Sequence, residues 1–247
     1  AAAGLGQHAG TGAVGQRSGA TVVQAGALAL QRDGQLGTPA GALVLDGGTL
    51  QVDQSLQLAD ARVLQLGAAG GTLQVAAGAT LQLGGLVSDH PPASGGMLQK
   101  TGDGRLLLSG AADNTYTGAT LLRGGSLALQ RDGQLGAVPG VATPGHLLID
   151  GATLQIDGDT VLAAQRGLAL GPSGATLQVA DGRVVGLAGA VADAPGAGGG
   201  TLAKTGAGLL RLQGAAPSTH TGATQVLAGT LALSADSQLG AVPGVAT

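Results

Sequence analysis

The chain has 247 residues, a formal net charge of −3 and no cysteine. Glycine supplies 49 residues, phenylalanine and tryptophan are absent, and Tyr116 is the single tyrosine. The nearly neutral charge and the lack of stacking platforms exclude an ordinary nucleic-acid-binding protein. The missing cysteine excludes disulfides and thiolate metal sites, and no apolar run approaches the roughly 18 residues of a membrane-spanning helix.

The composition favours a narrow aliphatic core over an ordinary globular one. Compact domains rely on aromatic side chains, which bury roughly 150–250 Å² each. Here leucine, valine and alanine must form the whole core. The mean hydropathy of +0.32 is too high for a disordered chain, in which low hydrophobicity goes with high charge.

The recurring local element, taken in chain order, is a triplet of apolar, polar or small, and apolar residues. Triplets occur at 28–30, 50–52, 56–58, 64–66, 73–75, 81–83, 127–129, 154–156, 168–170, 177–179 and 231–233. Successive side chains of a strand point to opposite faces, so each triplet places two aliphatic residues inward and Gln or Ala outward. No helical stripe persists beyond about two turns, so we expect minimal helix content.

Turn residues separate the triplets and decide between two all-β architectures. Gly, Asp-Gly, Gly-Gly and Pro-Gly lie between triplets that recur every 6–9 residues through 50–83, which leaves no room for crossover helices. A sandwich of hairpins would need strands of about 5–6 residues with aromatic inner faces. The triplets favour instead a right-handed, single-stranded parallel β-helix with about 20–25 residues per coil.

Long internal repeats indicate a solenoid. LALQRDGQLG at 28–37 returns at 127–136, QLGAVPGVAT at 134–143 returns at 238–247, and related 30-residue segments start at Lys100 and Lys204. We therefore expect one continuous β-helix over 1–247, divided into cassettes at 1–99, 100–203 and 204–247, with four or five rungs per full cassette. Because the last cassette stops within the repeat, we interpret the chain as an excerpt of a longer polypeptide.

Three stretches interrupt the triplet pattern. Residues 86–97 and 187–200 hold Pro, Gly and Ala where a triplet is due, each just before a Lys-Thr-Gly sequence. The segment 137–146 is longer than its counterpart at 38–41. We predict loops that protrude from the rod at 86–97, 187–200 and 137–146.

The repeated motif resembles a known family. Lys-Thr-Gly-x-Gly-x-Leu-x-Leu-x-Gly, then Tyr-Thr-Gly-x-Thr, then Gly-x-Leu-x-Leu is similar to the passenger-associated repeat of bacterial autotransporters, the type V secreted proteins. The second copy keeps this frame but has His220 in place of the tyrosine. The matching positions of the first copy are Lys100, Thr101, Gly102, Gly104, Leu106, Leu108, Gly110, Asn114, Tyr116, Thr117, Gly118, Thr120, Gly125, Leu127 and Leu129.

The resemblance implies a passenger rod on the surface of a Gram-negative cell, exported through a C-terminal translocator barrel that lies elsewhere in the same polypeptide. It implies that the repeats assist secretion and folding, and that the rod is a non-enzymatic adhesin or autoaggregation stalk with no cofactor. Its partners would be other rods or a host-surface or glycan receptor, without nucleic acid and without membrane insertion of this segment. One alternative is a pure spacer for an effector domain, and another is a glycan-active β-helix enzyme.

Few residues suggest chemistry, and each has an ordinary structural explanation. Asp157-Gly158-Asp159 with Asp150 offers oxygen ligands for calcium, but Asp-Gly is also common turn chemistry. The scattered histidines His8, His90, His146 and His220 lack the convergent spacing of a zinc site. We expect no catalytic, cofactor-binding or metal residues.

Two further sets remain candidates. Asp89 and His90 with Ser94 superficially resemble a nucleophile set, but they fall in a Pro-rich loop instead of a rigid scaffold. The lysines at the heads of the repeats, Lys100 and Lys204, are expected to be solvated edge residues.

The outward glutamines form the last candidate surface. They should line up as polar ladders that favour solubility and inter-rung hydrogen bonds, or alternatively form a self-association face. They are Gln51, Gln57, Gln65, Gln74, Gln82, Gln155 and Gln178.

Overall fold

The computed structural model describes residues 19–241, and within them the chain is a parallel β-helix of about nine turns. These residues contain strands and three short 3₁₀ turns, at Asp33–Leu36, Asp132–Leu135 and Asp236–Leu239, and no α-helix. Every strand pairing is parallel. The predicted β-helix is confirmed.

The strands are short, most of three to five residues, as the triplet pattern predicts. In chain order they are β1 Thr21–Val23, β2 Ala27–Ala29, β3 Leu43–Leu45, β4 Thr49–Val52, β5 Leu56–Leu58, β6 Leu64–Leu66, β7 Gly71–Val75, β8 Thr80–Leu83, β9 Val87–Asp89, β10 Leu98–Thr101, β11 Arg105–Leu108, β12 Thr120–Arg123, β13 Ser126–Leu129, β14 Thr143–Ile149, β15 Ala152–Ile156, β16 Thr160–Leu162, β17 Arg166–Leu170, β18 Ala175–Val179, β19 Val184–Leu187, β20 Val191–Asp193, β21 Leu202–Thr205, β22 Leu209–Leu212, β23 Thr224–Val226 and β24 Thr230–Leu233.

The strands stack into a rod with three sides. Side two is the eight-stranded sheet β2-β4-β7-β10-β12-β14-β17-β20, and side three is the eight-stranded sheet β5-β8-β11-β13-β15-β18-β21-β23. Side one consists of two four-stranded sheets, β1-β3-β6-β9 and β16-β19-β22-β24. Two irregular turns join these sheets. Hydrogen bonds connect these turns to each other and to the sheets on either side. Thr115 N donates to Val87 O (2.9 Å), Ala137 N donates to Tyr116 O (2.9 Å), and Asp132 N donates to Thr160 Oγ1 (3.1 Å).

The aliphatic ends of the triplets form the core. In β5 and β6 both leucines are buried, while the central Gln57 is exposed and Gln65 is partly exposed. Inward columns run up the rod because equivalent positions pair in register, as Leu28 does with Leu50 and Leu50 with Leu73. Each rung thus covers the apolar edge of the one before it, which makes stability depend on nearest neighbours.

The predicted loops are shorter than the sequence indicated. Strand β9 lies within 86–97, β20 lies within 187–200, and β14 begins at Thr143 within 137–146. The inward Val87 and Val191 are each 1% exposed, so a single buried valine can hold a strand that lacks the second aliphatic residue of a triplet. The true loops are 90–97, 194–201 and 137–142.

Candidate functional site

Lys100 heads the first repeat and is buried, which corrects the expectation of a solvated edge residue. It stands in an inward column between Leu73 and Leu122 and is 0% exposed. Its ammonium donates to the carbonyl oxygens of Thr101 (2.9 Å), Gly102 (2.7 Å) and Gly124 (3.3 Å). The aliphatic stem therefore fills the core while the charge closes the corner of the coil.

Lys204 repeats this arrangement in the second copy. Its ammonium donates to Thr205 O (2.7 Å), Gly206 O (2.7 Å) and Ala228 O (3.1 Å). Burial lowers the pKa of Lys100 to about 8, against the opposing attraction of Asp103, and burial also lowers the pKa of Lys204. Each lysine is thus a structural plug whose charge is bound to backbone dipoles.

Tyr116 fills the core of an irregular turn that has no strand on side one. It is 0% exposed, and its hydroxyl lies 2.6 Å from Thr120 Oγ1. Burial raises its pKa to about 12, so the phenol stays protonated and hydrogen-bonded. The next turn passes over the ring at Gly136, where φ is +83° and a Cβ would lie 2.9 Å from the ring.

His220 occupies the corresponding place in the second copy. It is also 0% exposed, and its Nε2 lies 3.0 Å from Thr224 Oγ1. Its Nδ1 is buried with no hydrogen-bond partner, as is Oδ1 of Asp193 on β20. Burial lowers the pKa of His220, although Asp193 and the backbone of Val191 oppose this. The imidazole replaces the phenol in position but leaves polar groups unsatisfied.

Asn114 ties three successive turns together in the first copy. Its Oδ1 accepts from Val87 N of the turn before (2.8 Å), and its Nδ2 donates to Gln134 O of the turn after (2.7 Å). Gln134 in turn donates through Nε2 to Leu108 O (2.8 Å), and its Oε1 accepts from Gln130 N (2.7 Å). We use the name clamp for Asn114 and Gln134 together with the side-chain hydrogen bonds that they make to the neighbouring turns.

The second copy has a weaker clamp. Ser218 Oγ accepts from Val191 N at 3.2 Å, but a serine is too short to supply the forward amide bond of Asn114. Gln238 keeps its part, with Oε1 accepting from Ser234 N (2.7 Å) and Nε2 donating to Gly214 O (2.9 Å). The sequence resemblance marked Asn114, and the exact repeat of QLGAVPGVAT at 134–143 and 238–247 was the signal that could have marked Gln134 and Gln238.

A carboxylate fastens the loop that follows β9 to the turn above it. Asp89 Oδ2 accepts from Thr117 Oγ1 (2.6 Å), and Thr117 Oγ1 accepts from Gly95 N (2.7 Å). The residue after Thr117 must be a glycine, because a Cβ at Gly118 would collide with the carbonyl oxygens of Gly95 and Gly96.

The second copy preserves this carboxylate bond. There Asp193 Oδ2 accepts from Thr221 Oγ1 (2.6 Å), and Thr221 Oγ1 accepts from Gly199 N (2.8 Å). We call each of these Asp–Thr pairs a staple. The loops 90–97 and 194–201 are therefore held, not free.

Two buried arginines anchor the first two of the three 3₁₀ turns, and the sequence analysis did not identify them. Arg62 Nε lies 2.5 Å from Asp33 Oδ1, and Arg166 Nε lies 3.0 Å from Asp132 Oδ1. The signal was present, because both aspartates belong to the repeated LALQRDGQLG segment. Each buried guanidinium has hydrogen-bond partners for its nitrogen atoms, and each therefore fixes its own 3₁₀ turn to the next rung.

The three aspartates considered for calcium do not converge. Asp150 Oδ1 accepts from Ser173 N (2.9 Å), Asp157 accepts from the side chain of Gln155 (2.9 Å), and Asp159 Oδ1 accepts from Val184 N (2.7 Å). Within residues 19–241, no group of three or more His, Cys, Asp or Glu side chains could hold a metal ion.

The histidines are also dispersed, and His8 lies outside the described residues. His146 packs against Arg166, with its Nδ1 3.1 Å from Arg166 NH1, and burial and this cation lower its pKa. His90 Nδ1 contacts Gln65 Oε1 at 2.9 Å, while Asp89 is engaged in its staple. The structure therefore does not connect Asp89 and His90 in the way a nucleophile set with Ser94 requires.

The glutamine ladders are real but short. Gln51 pairs in register with Gln74 on side two, and Gln155 with Gln178 on side three. The Gln57–Gln82 pair on side three is followed by Leu107 and Ala128 before glutamine resumes. Their side-chain bonds often stay local, for example from Gln51 Nε2 to Asp53 Oδ1 at 3.0 Å. No single side carries an unbroken polar ladder over the described turns.

Comparison with known proteins assigns these repeats. The model of the passenger-associated transport repeat matches residues 98–129 and 202–233, the stretches that hold the lysine plugs, the Tyr116 and His220 slots and the staple threonines. These are passenger-associated transport repeats of an autotransporter passenger domain. The predicted resemblance is confirmed, and such a passenger is exported to the surface of a Gram-negative cell.

A curated relative gives the same answer over a longer stretch. The passenger is 36% identical over 136 residues, or 53% of its length, to the adhesin BmaC autotransporter of Brucella suis biovar 1 (strain 1330). It spans about 4% of the length of that relative. No solved structure matches it.

Among residues 19–241, no helix is long and apolar enough to cross a membrane.

Proposed function

We propose that this passenger segment is a non-enzymatic stretch of an adhesive rod, and that its repeats assist folding during export. The adhesive function is supported by the 36% identity to a protein named as an adhesin. The same polypeptide would carry a C-terminal translocator barrel, since autotransporter passengers leave the cell through one. The partner would be a host-surface or glycan receptor, or another rod.

The folding function rests on one observation, the clamp. It joins the turns of β9, Tyr116 and the 3₁₀ turn Asp132–Leu135 through side-chain bonds, whereas each buried arginine and each staple joins only two adjacent turns. A solenoid can nucleate at any stable point and propagate to its neighbours. A stretch that ties three turns at once is a suitable seed, and folding outside the cell would oppose backward movement through the barrel.

A non-enzymatic role is supported by how the polar side chains are used. The buried ones that the sequence made conspicuous are engaged with the backbone or with each other, as Lys100 is with three carbonyls. The single tyrosine lies inside the core, where it cannot act as a platform for sugar. The glycan-active alternative needs aromatic and acidic groups on one exposed face.

The test is deletion of residues 100–203 in the full-length, surface-displayed parent. The deletion joins Gln99 to Lys204, so the strand Leu98–Thr101 is replaced by one that keeps an inward leucine and an inward lysine plug. The rod should shorten without breaking. An antibody against the distal end confirms display, and host-cell adhesion and cell aggregation are then measured.

If adhesion or aggregation falls sharply while display persists, the cassette carries the binding surface. If both activities persist at full level, the adhesive assignment of this segment is wrong, and the spacer function explains it better. The folding function is read separately, from the rate at which Asn114→Ala passengers become accessible to external protease. Asn114→Ser is the matched control, because serine stands at the same place in the second repeat.

A further inference from the structure

The two transport repeats lie on different sides of the rod. Strand β10 opens the first repeat within side two, and β21 opens the second repeat within side three. The later strands shift in the same way, with β12 on side two and its counterpart β23 on side three. Two related sequences are therefore presented in different directions.

The shift follows from the number of turns in a cassette. After β10, the chain returns to side two at β12, β14, β17 and β20, which is four complete turns, and β21 lies one side further on. A cassette of 104 residues thus contains four and one-third turns. Each cassette advances the surface pattern by about 120° around the axis, one side of a three-sided solenoid.

This rotation limits how a partner can use the repeats. Equivalent surfaces return to the same side only after three cassettes, or about 13 turns, which at ~4.8 Å per turn is ~62 Å along the rod. The repeated glutamine pair follows the same rule, because Gln51–Gln74 lies on side two and its counterpart Gln155–Gln178, 104 residues later, lies on side three. Gln57–Gln82 also lies on side three, but Val161 and Gly186 stand at its counterpart positions. A second rod lying alongside would therefore meet the repeated pair only once per three cassettes.

The surfaces that do recur are the stapled loops, at the corner between sides one and two for 90–97 and between sides two and three for 194–201. Both have exposed residues and both are fixed by an Asp–Thr staple, so each marks a defined direction around the rod.

We propose that successive cassettes present their equivalent surfaces, the stapled loops included, from directions one side apart. The number of cassettes then sets the direction in which every distal feature of the rod points. This proposal goes beyond the adhesive function above and does not depend on it, and it implies that the repeated glutamine pair cannot form one continuous face along which two rods associate side by side.

The test places one short peptide tag in two loops of the full chain and images the rod with a tag-binding antibody fragment at each. In the test pair, tags follow Ser94 and Gly196, in the two stapled loops. In the control pair, tags follow Ser94 and Gly140, because the loop 137–142 enters β14 on side two and so leaves the rod at the same corner as 90–97. An unchanged circular dichroism spectrum shows that each tagged chain has folded.

We expect the control fragments to project in the same direction and the test fragments to diverge by about 120° around the axis, one side of the solenoid. A test pair that projects in the same direction as the control pair overturns the rotation. Inserting two additional copies of 100–203 between the test loops should bring the fragments back to the same direction, because three steps of about 120° complete a circle, and inserting three copies should restore the original divergence. An angle that ignores the number of inserted cassettes also contradicts the proposal.

The consequence for side-by-side association is tested on the untagged chain by light scattering over a range of concentrations. The matched variant is Gln155→Lys with Gln178→Lys, which places two like charges on the glutamine pair of side three. We expect the unaltered chain and this variant to have the same mass at every concentration, because the glutamines do not join rods side by side. An unaltered chain that is heavier than the variant overturns this consequence of the proposal. Adhesion by the displayed parent is measured separately, so failure of the adhesive function and failure of the rotation remain distinguishable.

Discussion

The two transport repeats of this passenger have the same backbone conformation but differ in how many of their buried polar groups have hydrogen-bond partners. In the first, Asn114 bonds to both neighbouring turns and the Tyr116 hydroxyl has a partner. In the second, the Ser218 side chain bonds only backward, while His220 Nδ1 and Asp193 Oδ1 are buried without partners. A repeat can therefore keep its shape with a weaker interior, and the difference should appear as local stability.

The largest expected effect is at the aromatic slot. Replacing Tyr116 with Ala removes a fully buried ring beneath Gly136 and should destabilise the turn by about 3–5 kcal/mol. His220→Ala removes a smaller ring that is already incompletely bonded, so its effect should be clearly smaller. Urea denaturation followed by circular dichroism measures both.

The control for this pair is the exchange of residues between repeats. Tyr116→His should destabilise the first repeat, but by less than Tyr116→Ala does. His220→Tyr should stabilise the second repeat. If His220→Tyr destabilises the protein as strongly as His220→Ala, the two slots are not equivalent and the comparison fails.

The clamp gives the next largest effect. Asn114→Ala leaves Val87 N–H and Gln134 C=O without these partners inside the protein, which should reduce local stability by about 3 kcal/mol. Asn114→Ser should lose about 1 kcal/mol less than Asn114→Ala, because it recreates the backward bond of the second repeat. Limited proteolysis within 110–119 reports the opening.

The reciprocal change sharpens this prediction. Ser218→Asn should supply the missing forward bond and slow proteolysis of the corresponding segment. Equal cleavage rates for Asn114→Ala and the unaltered chain would show that the clamp contributes nothing measurable.

The lysine plug predicts an unusual alkaline effect. Burial lowers the pKa of Lys100 to about 8, whereas an unfolded lysine titrates near 10.4. Between these values the unfolded chain holds the extra proton, so stability rises with pH across the window. Lys100→Met should lose about 1–2 kcal/mol at neutral pH, because three carbonyls lose a donor, and should show a smaller rise at alkaline pH. Urea midpoints at both pH values test this, and an equal alkaline rise in both proteins would contradict it.

The smallest effect is at acid pH and involves the His220 slot. Because the pKa of His220 is lowered in the folded chain, the unfolded chain binds the proton first as the pH falls below about 6.5, and the turn that holds His220 should lose stability. His146, whose pKa is also lowered, contacts Thr117 O at 3.4 Å, so the first repeat should weaken in the same range. Local hydrogen exchange at neutral and mildly acidic pH checks this, with His220→Tyr as the control that should abolish the loss at the His220 turn and leave the loss near His146.

Much of the fold could be predicted because period-two triplets and glycine corners act locally. Leu50, Leu73 and Leu154 are buried as the pattern required. The predicted loops were too long because Val87 and Val191 hold strands with one inward aliphatic residue each, a signal too weak to distinguish from a loop. The burial of Lys100 was missed because a charge normally indicates solvent, and only the stacked coil shows three carbonyls converging on its ammonium.

The contacts between turns could not be predicted from one sequence. Asn114 and Gln134 lie 20 residues apart, and their meeting depends on the length of each turn. The same is true of Arg166 and Asp132, which are 34 residues apart. The rotation of the cassettes was hidden for the same reason, since the repeat length does not reveal how many sides the chain has passed.

The most direct test of the clamp is native-state hydrogen exchange of the amides of Val87, Thr115 and Ala137, one on each of the three turns that it joins. We predict that these amides exchange together and more slowly than those of Val191, Thr219 and Ala241 in the second repeat, and that Asn114→Ser brings the first set to the level of the second. Independent exchange on the three turns, or rates that Asn114→Ser leaves unchanged, would contradict the claim that the transport repeat is a structural unit that locks successive turns of the passenger.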